Sequence, residues 1–418
     1  MVERIDPLAS PAIGTSSDDL INRCDAPDIP PVKPPPPDPP PAFAVSLSGG
    51  GFRASLAGLG VLRLLADAGR LGSVRYLSSV SGGSIASGLV AVRYPQLRER
   101  GFTREALDEL VIGPFVERIT SQSFAKALIW AIASRLAVGH RVRVFADLLD
   151  DWFYGGLSLR DVDPGCRWIY NAANATTGVR FGFERNRVGD YVSGYVATET
   201  TDLRLAIAVA SSSAFPGAFN AMTLDGIDFP CQPGNPPRLL DGGAYDNLGL
   251  ESLDRLSRPG TGDLAEVPCL LVLNAGGSFR VGKYLGLPII GDYLRTTSLL
   301  YRQTTALRTE TMVDRYKAWE KAAKANERPT NFARRGVLFG LASKMDDPKL
   351  SPEWLATYPR PSNEERVRLA LIKTSLSQMD RDEECIPLIK RGWWLAGATL
   401  ASYQKDLLAP PFPTWEPL

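Results

Sequence analysis

The sequence predicts an α/β protein built on a mainly parallel sheet with helical cover. Three observations predict it. The first is the order strand, helix, strand, helix over residues 42–94, the pattern that yields parallel strands joined by helical crossovers. The second is a cluster of small residues at each strand-to-helix switch, Gly49–Gly51 and Ser79–Gly83. The third is a set of short β-prone runs further along, at Trp168–Ala172, Val179–Glu184, Arg238–Leu240 and Cys269–Leu273. The 418 residues suffice for one large domain or two ordinary ones.

Residues 1–41 read as a disordered tail ending in PDIPPVKPPPPDPPP, which forms neither helix nor central strand and acts as a stiff polyproline spacer. The folded domain is expected over 42–418. AFAVSLS is the first strand. A helix follows from about Ala54 to Ala68, with Leu56, Leu59, Leu62 and Ala66 at helical spacing. Gly58 and Gly60 inside it point to close approach of a neighbouring strand. VRYLSSVS is the second strand, ending at Ser81, and GSIASGLVAVRY the second helix. SFAKALIWAIASRLAVG, residues 123–139, is apolar on nearly all sides and is expected as a buried core helix, with a lid or membrane-touching helix as the other reading. LRLAIAVASSSAF reads as a helix before the Arg238 strand. The C-terminal third is mainly helical, and Ser362 to Glu365 forms a capping-box pattern.

Composition narrows the function. Lys and Arg number 47 against 46 Asp and Glu, so no global field attracts nucleic acid. The five cysteines are widely spaced without a CxxC pair, which predicts neither a zinc site nor a disulfide framework and suggests a reducing cytoplasm. No run reaches the roughly 18 apolar residues of a membrane span, and the N-terminus lacks a signal-peptide core, so a soluble, at most peripheral, protein is expected.

Three motifs carry chemistry. Ser79-Val-Ser81-Gly-Gly83 lies where a strand turns into a helix, the setting of a nucleophile elbow, with Ser79 in place of the first glycine of G-x-S-x-G. Gly49-Gly50-Gly51-Phe52-Arg53 follows the first strand and offers backbone N–H groups to an oxyanion. It fails as a P-loop because no Gly-Lys-Ser/Thr follows. Gly49-x-Gly51-x-x-Ala54 matches the dinucleotide spacing, but the acid expected about 20 residues later is missing. Finally, the Arg238 strand runs into Asp241-Gly-Gly, an acid at a strand end, although Asp-Gly is also ordinary turn chemistry. The single histidine, His140, precedes the acid and sits in a Gly-His-Arg loop, where it reads as a surface residue. A Ser-Asp pair remains, in which the carboxylate serves as base in a partly desolvated site; no metal or cofactor is required.

Taken together and in this order, SLSGGGFRASLAGLGVL, SSVSGGS and DGGAYDNLGLE resemble the patatin-like phospholipase family, itself similar to the catalytic domain of cytosolic phospholipase A. ASSSAFPGAF and IPLIKRGWWLAGATL add to the likeness, which runs from about Ala42 to Ala401. The resemblance implies a patatin-like three-layer α/β/α fold with a helical C-terminal part. It implies Ser81 as nucleophile, Asp241 as base, and Gly49, Gly50 and Gly51 as oxyanion donors. Arg53 would hold the loop or bind the lipid phosphate. The implied activity is hydrolysis of a phospholipid or other lipid acyl ester through an acyl-enzyme, with transient contact at a membrane surface. Two alternative roles are a catalytically silent lipid-binding protein and a signal-activated, membrane-degrading effector.

Overall fold

The computed structural model describes residues 23–136, 138–254, 256, 266–277 and 290–418. Its first strand, β1 (Phe43–Leu47), is buried throughout. Phe43, Val45 and Leu47 enter one apolar cluster and Ala44 a second, so both faces of the strand are covered. Burial on both faces is why its sequence reads as a continuous apolar run and not as an alternation. Helix α1 (Gly51–Asp67) follows, then β2 (Val74–Ser79) and α2 (Gly82–Glu99). The expected strand, helix, strand, helix order is present, and β1 pairs with β2 in parallel.

Three helices lead away from this unit: α3 (Gly113–Ser121), α4 (Phe124–Ser134) and α5 (Arg141–Leu149). The chain then returns through β3 (Arg167–Asn174), β4 (Val179–Phe183), β5 (Arg187–Asp190) and β6 (Gly194–Ala197). Helix α6 (Leu205–Ser212), the two-residue β7 (Met222–Thr223) and β8 (Arg238–Asp241) come next. Beyond them lie β9 (Cys269–Asn274), the long α7 (Ile290–Ala325), β10 (Gly336–Gly340), α8 (Asn363–Leu371) and α9 (Ile386–Tyr403). The sheet order is β10-β9-β1-β2-β3-β4-β5-β6, and the five strands from β10 to β3 run parallel. Antiparallel pairing extends it through β4, β5 and β6.

The larger apolar cluster packs α1, α2 and α9 on one face of the sheet. Residues 248–253 and Met312 of α7 pack on Ile169, Leu270 and Val272 on the other. This is the three-layer α/β/α arrangement with a largely helical C-terminal part. The strand β10 was not legible, because five residues between glycines are too few for periodicity to register. Gly58 meets the Leu47 side chain of β1 as expected, but Gly60 lies against the Ile389 carbonyl of α9, a helix and not a strand. The Ser362 hydroxyl accepts the Glu365 N–H at 3.0 Å, as the capping pattern required.

Two expectations are overturned. Residues 123–139 do not form a buried core helix: in α4 only Phe124 and Leu128 are buried, while Ile129 and Trp130 are 68% and 74% exposed. Apolar content on all sides did not fix which side faces protein. Cysteine spacing also misled, since Cys24 and Cys231 form a disulfide across a separation of 207 residues, a pairing that no local motif announces. Residues 1–22 of the expected disordered tail lie outside the described residues, and residues 23–41 run along the body. The Cys24 N–H donates to the Tyr191 carbonyl, Arg187 bonds Asp28 and the Ile29 carbonyl, and the Arg75 guanidinium donates to the Pro35 carbonyl. Proline carbonyls keep their acceptors though they lack donors, so the segment lies along the body as an acceptor strip.

Candidate active site

The sheet register brings the serine and the acid together. On one side of β3, β2 arrives in parallel and ends with Ser79 opposite Tyr170. On that same side β8 arrives antiparallel and ends with Asp241 opposite Ala172. Two strands running toward each other along one neighbour thus stop two residues apart, and both turn out of the sheet there.

Ser81 occupies the turn between β2 and α2 with φ 51° and ψ −120°, a conformation L-residues rarely adopt. The turn is held from outside. The Ser81 N–H donates to the Ser212 carbonyl at 3.1 Å and to the Ser212 hydroxyl at 3.0 Å. The same Ser212 carbonyl accepts the Gly242 N–H at 3.1 Å, so one residue at the end of α6 fixes both the serine turn and the aspartate turn. The Ser212 hydroxyl donates to the Asn171 carbonyl at 2.6 Å. The Asn171 amide in turn donates to the Ser79 carbonyl at 2.9 Å. Ser79 itself is fully buried, and its hydroxyl accepts from Ser84 at 3.1 Å, so a serine fits where G-x-S-x-G has glycine.

Asp241 is 3% exposed. Burial pushes its carboxyl up to about 6, against the lowering effects of the Gly243 N–H and of the nearby Ser81 hydroxyl. The Gly243 N–H donates at 2.8 Å. His140 is exposed in the connection before α5.

The glycine loop stands directly against the serine: a methyl built on Gly49 would lie 3.1 Å from the Ser81 Cβ. The Gly49 N–H is engaged by the Asn247 carbonyl at 3.2 Å, which removes it from the expected set of oxyanion donors. The N–H groups of Gly50 and Gly51 meet no acceptor among the described residues. Gly51, at φ 60°, opens α1, and any side chain there would meet the Ser375 carbonyl at 2.6 Å. Arg53 is 2% exposed. Its guanidinium donates to the carbonyls of Ala275 at 2.8 Å, Ile372 at 2.8 Å and Ala370 at 3.2 Å, and burial brings its pKa down to about 10. It ties the glycine loop to two later segments, so the substrate-binding expectation gives way to the loop-holding one.

Sequence reasoning missed Ser212, Asn171 and Arg308. Ser212 lies in a three-serine run whose members look alike. Arg308 of α7 faces Asp246 at 3.5 Å and Glu251 at 3.4 Å, latching α7 onto the segment after Asp241. Tyr301, two turns earlier, stands over Gly243.

A parallel α/β sheet that presents a serine elbow against a glycine loop defines the class of α/β acyl hydrolases. A family model described as patatin-like phospholipase matches residues 45–254, from β1 through the segment after Asp241, and the chain belongs to that family. Similar solved structures include human GIVD cytosolic phospholipase A2 in complex with methyl gamma-linolenyl fluorophosphonate (17% identity, TM-score 0.49, covering 88% of this chain and 59% of that one). Another is VipD from Legionella pneumophila (13% identity, TM-score 0.34, covering 93% and 73%). The chain therefore spans about 59% of the length of the human enzyme. No curated protein matches it.

Proposed function

We propose that the protein is a lipid acyl hydrolase of phospholipase A or lysophospholipase type, with Ser81 as nucleophile and Asp241 as general base. The observation that carries this reading is the sheet register, which ends β2 and β8 two residues apart on β3 and so sets a buried carboxyl, shifted up to about 6, beside a serine on a strained strand-to-helix turn. A base that titrates near the working pH combines usable basicity with a mostly ionised form.

In the first half-reaction Asp241 takes the Ser81 proton and the Ser81 oxygen attacks the ester carbonyl carbon. The N–H groups of Gly50 and Gly51 donate to the resulting oxyanion, beside the positive ends of α1 and α2. Collapse expels the alcohol, which takes the proton from Asp241 and leaves an acyl-Ser81. In the second half, water loses a proton to Asp241, attacks the acyl carbon, and releases the fatty acid while the proton returns to Ser81. The substrate is an acyl ester held in a lipid surface. The Cys24–Cys231 bond favours an oxidising compartment over the cytoplasm that cysteine spacing suggested. Among the described residues no helix is long and apolar enough to cross a membrane.

The test is hydrolysis of a p-nitrophenyl acyl ester and of phospholipid vesicles by wild type, Ser81→Ala and Asp241→Asn. Both variants are expected to lose at least about a thousandfold in rate, as removal of one member of a catalytic unit does. Equal rates in three folded proteins would end the proposal.

A further inference from the structure

Helix α4 is attached to the body by one edge. Phe124 sits among Phe52, Phe145, Trp152 and Phe153, and Leu128 is buried beside it. Past that anchor the chain turns apolar residues to solvent: Ile129 at 68%, Trp130 at 74% and Leu136 at 90% exposure. Monomeric soluble proteins rarely expose a cluster of this kind without a partner for it. The flanking charge has one sign. Residues 122–146 contain Lys126, Arg135, Arg141 and Arg143 and no acid. Asp147 and Asp225, from outside this stretch, pair with Arg135 at 3.0 Å and Arg143 at 2.7 Å. At 11 residues α4 is about 16 Å long, half of what a bilayer span needs, so an apolar tip with a basic surround suits the interface plane.

The helix also stands at the site. The Ala125 N–H donates to the Leu376 carbonyl, one residue from Ser375, whose carbonyl takes the Phe52 N–H behind the glycine loop. On its other side, Phe145 of α5 stacks on Phe219 at 4.7 Å. Residues 215–219 continue the chain from Ser212, and Phe215, 39% exposed, meets Tyr301 of α7 at 6.0 Å. Leu299 and Leu300 are exposed next to Tyr301.

We propose that the exposed end of α4 and the residues after it, 129–136, form the surface by which the protein docks on an anionic lipid bilayer, holding the Ser81 turn close to lipid acyl esters. This rests on the lipid-hydrolase reading above for its purpose, though not for its test. The measurement is co-sedimentation with phosphatidylcholine vesicles and with vesicles containing about 30% phosphatidylglycerol, in a Ser81→Ala background so that the lipid stays intact. The Ser81→Ala protein is expected to bind the anionic vesicles more tightly and to release them as salt rises. Adding Ile129→Ser and Trp130→Ala is expected to weaken that binding by about tenfold or more, with an unchanged thermal midpoint, since neither side chain is packed. Undiminished binding by the triple variant, equal binding to both vesicle types, or self-association that the two substitutions abolish would each overturn the proposal. Wild-type ester hydrolysis is read separately: its absence alongside vesicle binding would remove the hydrolase reading and leave the docking surface standing.

Discussion

Asp241 is costly where it is. A carboxyl whose pKa rises from 3.8 unfolded to about 6 folded binds more protons in the native state between those values. Stability therefore falls as pH rises through that window, and the full cost is present above it. The shift corresponds to roughly 2–3 kcal/mol at pH 7. Asp241→Asn keeps an oxygen for the Gly243 N–H and removes the buried charge. It is expected to be inactive yet more stable than wild type at pH 7, by up to that amount, with the difference vanishing below about pH 4. Urea titrations at pH 4 and pH 7 check this, and equal stability at pH 7 would contradict the burial of an ionised group. The sequence made Ser81, Asp241 and the glycine loop legible because their chemistry forces small residues at strand ends. It did not reveal which glycine N–H is engaged, nor that Arg53 points inward, because both depend on partners more than 190 residues away.

At the scale of elements, the site exists because β2 and β8 end against the same stretch of β3 and because α6 and α7 hold the two turns from above. Strands in the sequence are marked by β-prone runs, so β1, β2, β3, β4, β8 and β9 were readable within a residue or two. That β8 pairs antiparallel beyond the end of β2 was not, since pairing partners leave no trace in one strand's pattern. The latch from α7 is likewise a tertiary matter. Arg308 and Asp246 are buried and Glu251 is half-buried, and the Arg308 guanidinium lies 5.3 Å over the Tyr245 ring. Arg308→Met is expected to leave two acids under-compensated, costing roughly 3 kcal/mol, and to lower turnover by loosening the Asp241 segment. Loss of stability with full turnover would show that α7 braces the fold without bracing the site. The misreading of 123–139 has the same origin: amphipathicity can orient a helix only when one face is polar, and α4 has almost none.

At the scale of the whole molecule, the N-terminal segment is a strap. It leaves the disulfide at Cys24, lies along the β5 side through Arg187 and Asn186, and reaches Ser73 just before β2 and Arg75 within it. Closing so long a loop restricts the unfolded chain, so Cys24→Ser or added reductant is expected to lower stability by roughly 2–4 kcal/mol without altering the active site. Matched thermal melts and ester assays with and without reductant check it; an unchanged midpoint would mean the bond contributes nothing. The fold class was legible because local periodicity and turn chemistry agree along the chain. The strap was not, because a proline run predicts stiffness and says nothing about where a stiff segment lies. The central claim is that Asp241 activates Ser81, and the most direct measurement is the pH dependence of Ser81 labelling by a fluorophosphonate, followed by intact mass and peptide mapping. The expected result is a single adduct on Ser81 whose rate rises with pH through a midpoint near 6 and falls at least about a hundredfold in Asp241→Asn. Labelling of another residue, or an Asp241→Asn protein that labels at the wild-type rate, would contradict it.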